Sequence, residues 1–579
     1  MASSSHWLAS GAAMAMLERG GNAFDAVAAA VFTLQVVEPH QSGPGGDMVL
    51  IFAGAEESSA HVLCGQGPAP ATATIGAFHA LGLDLVPGSG LLPATVPGAT
   101  PALLTLLRDH GTLRLGEVLV PAIGHARAGY PLGSAAAQTM AAMSEVFTTH
   151  WPTSAAIYPA RPHEGSRFTN EPLARMYERL VREAEGVGTC RETQLDAALS
   201  VWSQGFVAEA IDGFARRPVP DATGTRHSGF LSGQDLADWA PAYEAAVSVD
   251  FRGHTVCKPA AWSQGPVLLQ QLKLLEPFEL VPGTEEYVHL VVEAAKLAFA
   301  DREAWYGDVP DVPLPELLSE SYAAQRRVLL GESASLELRP GSPGGRTPRL
   351  PGLAVTAAHR TSDVTTAEPT LGTASVGRRG TGATGGDTVH VDVVDRWGTM
   401  IAAMPSGGWL QSSPVIPELG FALGNRLQMT WLQEGLASSL MPGRRPRTTL
   451  SPTLVLQGGR PVLACGSPGG DQQDQWQLLF LLRRLTGNLS LQGAMEAPVF
   501  HSAHFPGSFY PRQARPGQLV AEERLGSRVL AQLATRGHEV VPAPDWSLGR
   551  MCAVGRAPEG GFLTAAADPR GGLSYATGR

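Results

Sequence analysis

Residues 388–394 read TVHVDVV, and the first six of them alternate strictly between polar and apolar side chains. In an extended chain this alternation places the threonine, histidine and aspartate on one face and the valines on the other. A turn follows at residues 395–398, and residues 399–404 return as a second apolar segment. The pattern predicts two adjacent antiparallel strands.

The stretch before this hairpin has a different character. Residues from about Leu336 to Asp387 are rich in Gly, Pro, Ser and Thr and have no periodic apolar face, so we predict a mobile linker. The linker runs directly into Thr388. If the bond between Asp387 and Thr388 were cut, the new α-amine could take the proton of the Thr388 hydroxyl and activate it as a nucleophile. The alternative is a linker that simply meets a strand.

Further elements are predicted on both sides of the hairpin from apolar periodicity and from glycine and proline signals. We expect helices at Leu8–Leu17, Ala23–Val37, Ala102–Arg108, Leu115–Ala128, Glu286–Trp305 and Gln472–Leu485, and strands at Met48–Phe52, Tyr243–Val256, Thr453–Gln457 and Pro461–Cys465.

A glycine loop, Gly466–Gly470, lies between the last of these strands and the last helix. Backbone N–H groups at such a junction can stabilise an anion, and in acyl transfer they can form an oxyanion hole. The alternative is a tight strand-to-helix turn. The loop matches no complete nucleotide-binding motif.

Composition narrows the class of protein. The chain has 579 residues, a net charge of −10, 44% apolar residues and only 17% charged residues, with 67 glycines and 45 prolines. The apolar content excludes disorder of the whole chain, and the acidic balance argues against a nucleic-acid partner. Five distant cysteines and the lack of an apolar run of about 20 residues lead us to expect a cytoplasmic protein without a membrane partner.

At this point the residues show a resemblance to a known family. The chain resembles the γ-glutamyltransferases (glutathione hydrolases), which are N-terminal-nucleophile hydrolases, and it looks like a divergent branch similar to the oxamate amidohydrolases. The resemblance rests on motifs that occur in order along nearly the whole chain: Gly20–Ala26, Val37–His40, Gly43–Gly46, Val96–Gly98, Val120–Ile123, Glu293–Arg302, Thr388–His390, Val393–Asp395, Ser451–Thr453 and Gly466–Gly470.

The resemblance implies an α+β fold, a four-layer αββα sandwich, and a proenzyme. Self-cleavage between Asp387 and Thr388 would leave a large-subunit region, 1–387, and a small-subunit region, 388–579, associated as a heterodimer that could dimerise further. The enzyme would be an N-terminal threonine amidohydrolase or acyltransferase. It would act on a small-molecule amide through a threonine acyl-enzyme, without a cofactor.

The resemblance also assigns roles to individual residues. Thr388 falls on the nucleophile, Ser406 on a hydroxyl residue that assists it, and Gly469 and Gly470 on the oxyanion-hole glycines. A serine pair that binds the substrate carboxylate falls on Thr448 and Thr449 in this chain.

Three departures from the family pattern concern the substrate. The family's carboxylate-binding arginine falls on Gln66, its asparagine after the second strand on Gly408, and its amine-binding acidic residue near Thr430. Glutamine cannot make the charged bidentate contact of a guanidinium. We therefore expect a small carboxylate amide rather than a standard γ-glutamyl peptide, with Trp409 and Gln411 as altered pocket walls.

Two alternatives stay open. The first is a true glutathione hydrolase or γ-glutamyl transferase that holds the carboxylate through Arg447 or Arg426. The second is an unprocessed, inactive scaffold that binds a partner or a small molecule.

Several remaining polar residues are interpreted as structural. We expect His390 to pack or form a hydrogen bond rather than act as a base, and His6 and His40 to be structural. No His, Cys or carboxylate cluster has metal-ligand spacing, so we predict no metal. A solvated or salt-bridging role is expected for Glu293, Lys296, Asp301 and Arg302 on one helix.

Overall fold

A computed structural model describes residues 1–352, 388–487, 489–557 and 561–579. Asp387, and with it the predicted cleavage bond, lies outside the described residues, as does the predicted linker from residue 353 onward. The strands of the described residues are β1 Ala2–Ser4, β2 Asp47–Ala53, β3 His61–Gly65, β4 Tyr130–Pro131, β5 Arg167–Phe168, β6 Val219–Pro220, β7 Arg226–His227, β8 Ala242–Ala245, β9 Val247–Phe251, β10 His254–Lys258, β11 Val391–Val394, β12 Met400–Ser406, β13 Thr453–Gln457, β14 Arg460–Gly466, β15 Phe500–Ser502, β16 Gln518–Glu522, β17 Glu539–Ala543, β18 Cys552–Arg556, β19 Leu563–Ala567 and β20 Tyr575–Thr577.

The α-helices surround these strands, and most are amphipathic or wholly buried. In chain order the α-helices of the described residues are α1 Trp7–Glu18, α2 Ala23–Val37, α3 Ile75–Ala80, α4 Ala99–His110, α5 Leu115–Ala128, α6 Ser134–Thr149, α7 Pro152–Ala155, α8 Glu171–Glu185, α9 Arg191–Gln204, α10 Phe206–Ala215, α11 Gly233–Ala237, α12 Pro266–Leu275, α13 Glu285–Trp305, α14 Leu314–Leu317, α15 Glu320–Arg327, α16 Gln473–Leu485, α17 Leu491–Glu496 and α18 Ser527–Thr535.

Two antiparallel sheets form the centre of the molecule. The first has seven strands in the order β20-β1-β11-β12-β2-β3-β8, and the second has six in the order β19-β18-β14-β13-β10-β9. Strands β11 and β12 pair with each other, as the alternation predicts, and β12 also pairs with β2 along its full length.

Alternating side chains assign the faces of the sheets to different cores. In β2, Val49 and Ile51 pack with Leu454 and Ala464 of the second sheet. The residues between them, such as Leu50, face α1, α2, α4 and α5 instead. The outer face of the second sheet packs on α12, α13 and α16. Two helical layers therefore enclose two sheets, and the fold is the αββα sandwich that the resemblance implied.

The predicted strand Tyr243–Val256 is wrong, because the segment forms three strands. β8 belongs to the first sheet, whereas β9 and β10 form a hairpin at the edge of the second sheet. Arg252 and Gly253 at the hairpin turn have φ angles of 48° and 81°. The apolar pattern could not show this break, since both sheets bury their strands.

Helix α13 corrects a second expectation. The four charged residues that we expected to be solvated or salt-bridged, Glu293, Lys296, Asp301 and Arg302, are all buried. Lys296 lies 2.6 Å from Glu293 within the helix, and Arg326 of α15 lies 3.4 Å from Asp301. The ion pairing was predicted correctly, but burial was not, because α13 is covered on all sides by other elements.

The beginning of the predicted linker also has a defined position. Residues 336–352 pack along α13: the Gly341 N–H donates to Asp301 at 2.6 Å, and Arg339 lies 3.3 Å from Glu293. Gly352 donates its N–H to Gln433 Oε1 at 2.9 Å. This part of the stretch is therefore anchored to α13 on one side of the predicted cleavage bond, and to Gln433 on the other side of it.

We searched the described helices for one that could cross a membrane. None of them combines the length and the apolar character that this requires.

Candidate active site

Thr388 and Ser406 face each other at the start of β11 and the end of β12. They form an isolated antiparallel bridge, and Thr388 Oγ1 lies 3.2 Å from Ser406 Oγ. Both residues are buried, Thr388 with 3% of its surface exposed. The β11–β12 register produces this pairing, so the structure brings together two residues that are 18 positions apart in the sequence.

A buried histidine–aspartate pair continues the same strand face. His390 Nε2 lies 2.8 Å from Asp392 Oδ1, and both side chains are fully buried. Burial raises the pKa of the Asp392 carboxyl to about 6, and the neighbouring His390 offsets part of this rise. Gly466 lies against the imidazole, where an added Cβ would be 2.2 Å from His390 Cε1. The hydrogen bond and the close packing agree with the structural role that we expected for His390.

Two glycine segments, Gly43–Gly46 and Gly407–Gly408, pack against each other at the end of β12. A Cβ on Gly46 would lie 2.1 Å from the Ser406 carbonyl oxygen, and one on Gly43 would lie 2.4 Å from that of Gly408. Gly407 and Gly408 have φ angles of 75° and 64°, which side chains disfavour. Only glycine allows the two backbones to approach this closely beside Ser406.

The glycine loop at Gly466–Gly470 has the conformation that a strand-to-helix junction requires. Gly469 and Gly470 have φ angles of 127° and 54°. A Cβ on Gly469 would lie 2.4 Å from Trp476, and one on Gly470 would lie 2.9 Å from Phe509. The loop leads through a short 3₁₀ turn into α16.

Gln264 connects this loop to the threonine pair. Its Nε2 donates to the Gly470 carbonyl at 3.0 Å, and its backbone N–H donates to the Thr448 carbonyl at 2.9 Å. The Thr448 hydroxyl accepts the Leu450 N–H at 3.3 Å. Thr449 Oγ1 is buried and has no hydrogen-bond partner in the described part of the chain. Of the two predicted carboxylate ligands, Thr449 has a hydroxyl with no partner among the described residues, and the Thr448 hydroxyl accepts the Leu450 N–H and keeps its own hydrogen for donation.

Trp409 and Gln411 are buried on the other side of Ser406. Trp409 donates to the Gln41 carbonyl at 2.8 Å, and Gln411 donates to the His40 carbonyl at 2.9 Å. The Trp409 ring lies 6.4 Å from the ring of Phe509, which also contacts Gly470. Phe509 therefore links the loop after Ser406 to the glycine loop at Gly466–Gly470.

Each of the two arginines that we considered for the substrate carboxylate is paired with a carboxylate of the protein. Arg426 lies 2.8 Å from Asp47, and Arg447 lies 2.7 Å from Glu303. Gln66 is fully buried and donates to the adjacent Gly67 carbonyl at 3.3 Å.

One group among the described residues has metal-ligand atoms within reach of one another. It consists of His289, Glu293 and His538. His289 Nδ1 lies 2.9 Å from His538 Nε2, and Glu293 is paired with Lys296 and Arg339. These protein partners occupy the ligand atoms of the group, which lies in the helical layer rather than beside Thr388.

Sequence reasoning missed Gln264 and Phe509. Gln264 lies in the loop before α12, and Phe509 lies in the segment between β15 and β16. These residues belong to no motif quoted above, and their neighbours come from distant parts of the chain. We found no sequence signal that would have indicated them.

The arrangement can carry out acyl transfer. A buried hydroxyl pair lies just before β11, and the glycine loop begins at Gly466, which packs against His390 two residues after Thr388. This fold and this kind of site define the class of N-terminal-nucleophile hydrolases. The family model described as Gamma-glutamyltranspeptidase matches residues 9–577, and the chain therefore belongs to the γ-glutamyltranspeptidase family.

Individual proteins agree with this assignment. The solved "Structure of LmbA2991HD" is 54% identical, covers 100% of this chain and 98% of its own, and has a TM-score of 0.93. The crystal structure of cephalosporin acylase from Bacillus halodurans is 25% identical, covers 99% and 94% of the two chains, and has a TM-score of 0.80.

Two curated relatives match over nearly their whole lengths. The glutathione hydrolase-like YwrD proenzyme of Bacillus subtilis is 28% identical, covering 99% of this chain and 97% of its own. The oxamate amidohydrolase proenzyme of Klebsiella pneumoniae subsp. pneumoniae is 27% identical, covering 98% and 97%. The chain is thus a hydrolase or acyltransferase of a family whose curated relatives include proenzymes.

Proposed function

We propose that this chain is a self-cleaving amidohydrolase with Thr388 as its N-terminal nucleophile. The observation that carries the proposal is the buried pair of Thr388 Oγ1 and Ser406 Oγ, 3.2 Å apart at the first residue of the small-subunit region. A second hydroxyl at this distance can accept or donate a proton as the nucleophile forms and loses its bond.

Maturation would proceed in two steps. Thr388 Oγ1 attacks the carbonyl carbon of Asp387, and the amide becomes an ester as the nitrogen of Thr388 leaves and takes up a proton. Water then hydrolyses the ester, which releases the Asp387 carboxyl group and leaves Thr388 with a free hydroxyl and a free α-amine. That amine acts as the base in each later turnover.

Turnover would follow the same chemistry on an external amide. The Thr388 oxygen attacks the substrate carbonyl, the amine leaves with a proton, and water resolves the acyl-enzyme. The loop at Gly469 and Gly470 would stabilise the negative charge on the carbonyl oxygen. An acceptor amine in place of water would give transfer instead of hydrolysis.

The substrate we propose is a small amide that carries a carboxylate, rather than a γ-glutamyl peptide. A γ-glutamyl group has both an α-carboxylate and an α-amine, and Gln66 and Thr430 provide no charge for either. The α-amine is the group that a simple carboxylate amide lacks; charged hydrogen bonds contribute about 1.5–3 kcal/mol each, so the missing partner of this amine would weaken binding by about one to two orders of magnitude. The names of the oxamate amidohydrolase and cephalosporin acylase relatives indicate that this family accommodates other amides.

A substrate comparison tests this proposal. Purified, matured protein is assayed for ammonia release from oxamate, and for p-nitroaniline release from glutaryl-p-nitroanilide and from γ-glutamyl-p-nitroanilide. We expect a higher kcat/KM for oxamate or the glutaryl compound than for the γ-glutamyl compound. Preferred turnover of the γ-glutamyl compound would show that the substrate proposal is wrong and support the γ-glutamyl alternative.

A further inference from the structure

Arg512 is a buried guanidinium close to the glycine loop, and only part of it is bonded. Its Nε and Nη2 donate to the Gln428 carbonyl at 3.2 and 2.9 Å, and Nη2 also donates to the Thr430 carbonyl at 3.1 Å. The guanidinium carbon lies 4.0 Å from the centre of the Trp431 ring. The Nη1 group is buried and has no hydrogen-bond partner within the described ranges, although the side chain is only 2% exposed.

The charges around Arg512 do not cancel. Those that act on it most strongly are the carboxylates of Glu303 and Asp471 and the guanidiniums of Arg447 and Arg302. With Arg512 this makes three cations and two anions, all buried. Glu303 is paired with Arg302 and Arg447, and Asp471 is paired with Arg302. Burial, together with the other two arginines, lowers the pKa of Arg512 to about 9. One additional anion would neutralise the group.

The chain positions Arg512 in a segment that packs against the glycine loop. The Ser508 N–H donates to Asp471 at 2.8 Å, Phe509 packs on Gly470, and the Tyr510 N–H donates to Gln428 Oε1 at 3.0 Å. The segment thus runs from the glycine loop to the carbonyls that hold Arg512. Gln428 Nε2 is a second buried donor without a hydrogen-bond partner among the residues described.

We propose that Arg512 Nη1 binds the free carboxylate of the substrate, with Gln428 Nε2 as a second donor. The inference rests on the proposed function and narrows its substrate to half-amides of dicarboxylic acids, in which one end is the scissile amide and the other a carboxylate. A guanidinium that is fixed by two carbonyls presents its remaining Nη1 group without further ordering. Arg512 thereby supplies, from a different element, the charge that Gln66 lacks.

The test compares charged and neutral ligands in matched variants. Arg512→Met removes the charge and keeps much of the volume, and Arg512→Lys keeps a charge but loses the planar edge. Arg483→Met is the control, because Arg483 is also buried and also donates to main-chain carbonyls, at Ala494 and Pro498, but lies at the far end of α16. Each variant is first checked for self-cleavage on a denaturing gel.

Two readouts follow: turnover for each protein that matures, and binding for every protein, matured or not. Turnover of glutaryl-p-nitroanilide is compared with that of pentanoyl-p-nitroanilide, which lacks the carboxylate. Binding of glutarate and oxalate is compared with that of glutaramide and oxamide by calorimetry, which does not depend on turnover. In Arg512→Met we expect KM or Kd to rise by about tenfold or more for the charged ligands, with little change for the neutral ones. Arg512→Lys should recover part of the loss, and Arg483→Met should show none.

The possible outcomes separate this inference from the proposed function. Three results would overturn the role of Arg512. Arg512→Met could affect charged and neutral ligands equally, Arg483→Met could show the same effects, or the wild-type protein could bind neither acid. Failure of the wild-type protein to self-cleave would instead count against the proposed function, and the calorimetry would still decide whether Arg512 binds a carboxylate.

Discussion

At the scale of single residues, the site depends on which side chains share one strand face. Thr388, His390 and Asp392 could be placed together from the sequence, because alternation in a strand is a local property. Ser406 was placed by resemblance, and the β11–β12 register explains its contact with Thr388. Arg512 could not be predicted, since the carbonyls of Gln428 and Thr430 that fix it lie more than 80 residues away.

The buried Asp392 gives a prediction on pH. Its pKa in the folded protein is raised from 3.8 to about 6, so between these values the folded state retains a proton that the unfolded state has lost. The stability contribution of this group is therefore full below pH 3.8 and is lost as the pH rises through about 6. The loss amounts to at most about 3 kcal/mol in the free energy of unfolding.

This prediction is checked by denaturant unfolding between pH 4 and pH 7. Asp392→Asn is compared with the unsubstituted residue, both in a Thr388→Ala background that keeps the chain in one piece. The asparagine variant should gain stability relative to its parent as the pH rises. Two parallel stability curves would show that Asp392 is not buried in the way described here.

At the scale of elements, the predictions succeeded where one segment determines its own structure. Helices α2 and α5 and strand β13 have the predicted bounds, because a capping box begins α2, a glycine follows α5 and a Gly-Gly turn follows β13. The segment Tyr243–Val256 failed, because its division between two sheets depends on β3 and β13, with which its strands pair. Pairing partners are not encoded in a strand's own pattern.

The glycine loop before α16 gives a prediction at this scale. Gly469→Ala adds a Cβ that would lie 2.4 Å from Trp476, at a φ of 127°. Gly20→Ala is the control, since its φ is 91° but nothing lies within 4 Å of the added Cβ. Backbone strain and overpacking each cost about 1–3 kcal/mol. We therefore expect Gly469→Ala to lose several kcal/mol of stability, and Gly20→Ala only the strain.

Thermal or denaturant unfolding of both variants measures this difference. The substituted loop should also lower kcat, because the loop must move away from Trp476 to accept the methyl group. Equal stability of the two variants, with full activity in Gly469→Ala, would contradict the position assigned to this loop.

At the scale of the whole molecule, the two regions of the chain are interleaved in both sheets. β11 of the small-subunit region lies beside β1, β12 lies beside β2, and β13 lies beside β10. Each of these pairs joins residues from opposite sides of the predicted cleavage bond. A cut before Thr388 would therefore leave the fragments bound by two shared sheets and five buried cores, and only denaturation would separate them.

The most direct test is intact-mass spectrometry of the protein after native size-exclusion chromatography, with and without denaturant, for the wild type and for Thr388→Ala. We predict one native peak for each protein. On denaturation the wild type should yield two polypeptides, the smaller of which begins at Thr388 and ends at Arg579, and Thr388→Ala should yield a single chain of 579 residues. An intact wild-type chain, or a cut at the same position in Thr388→Ala, would contradict the assignment of Thr388 as the nucleophile.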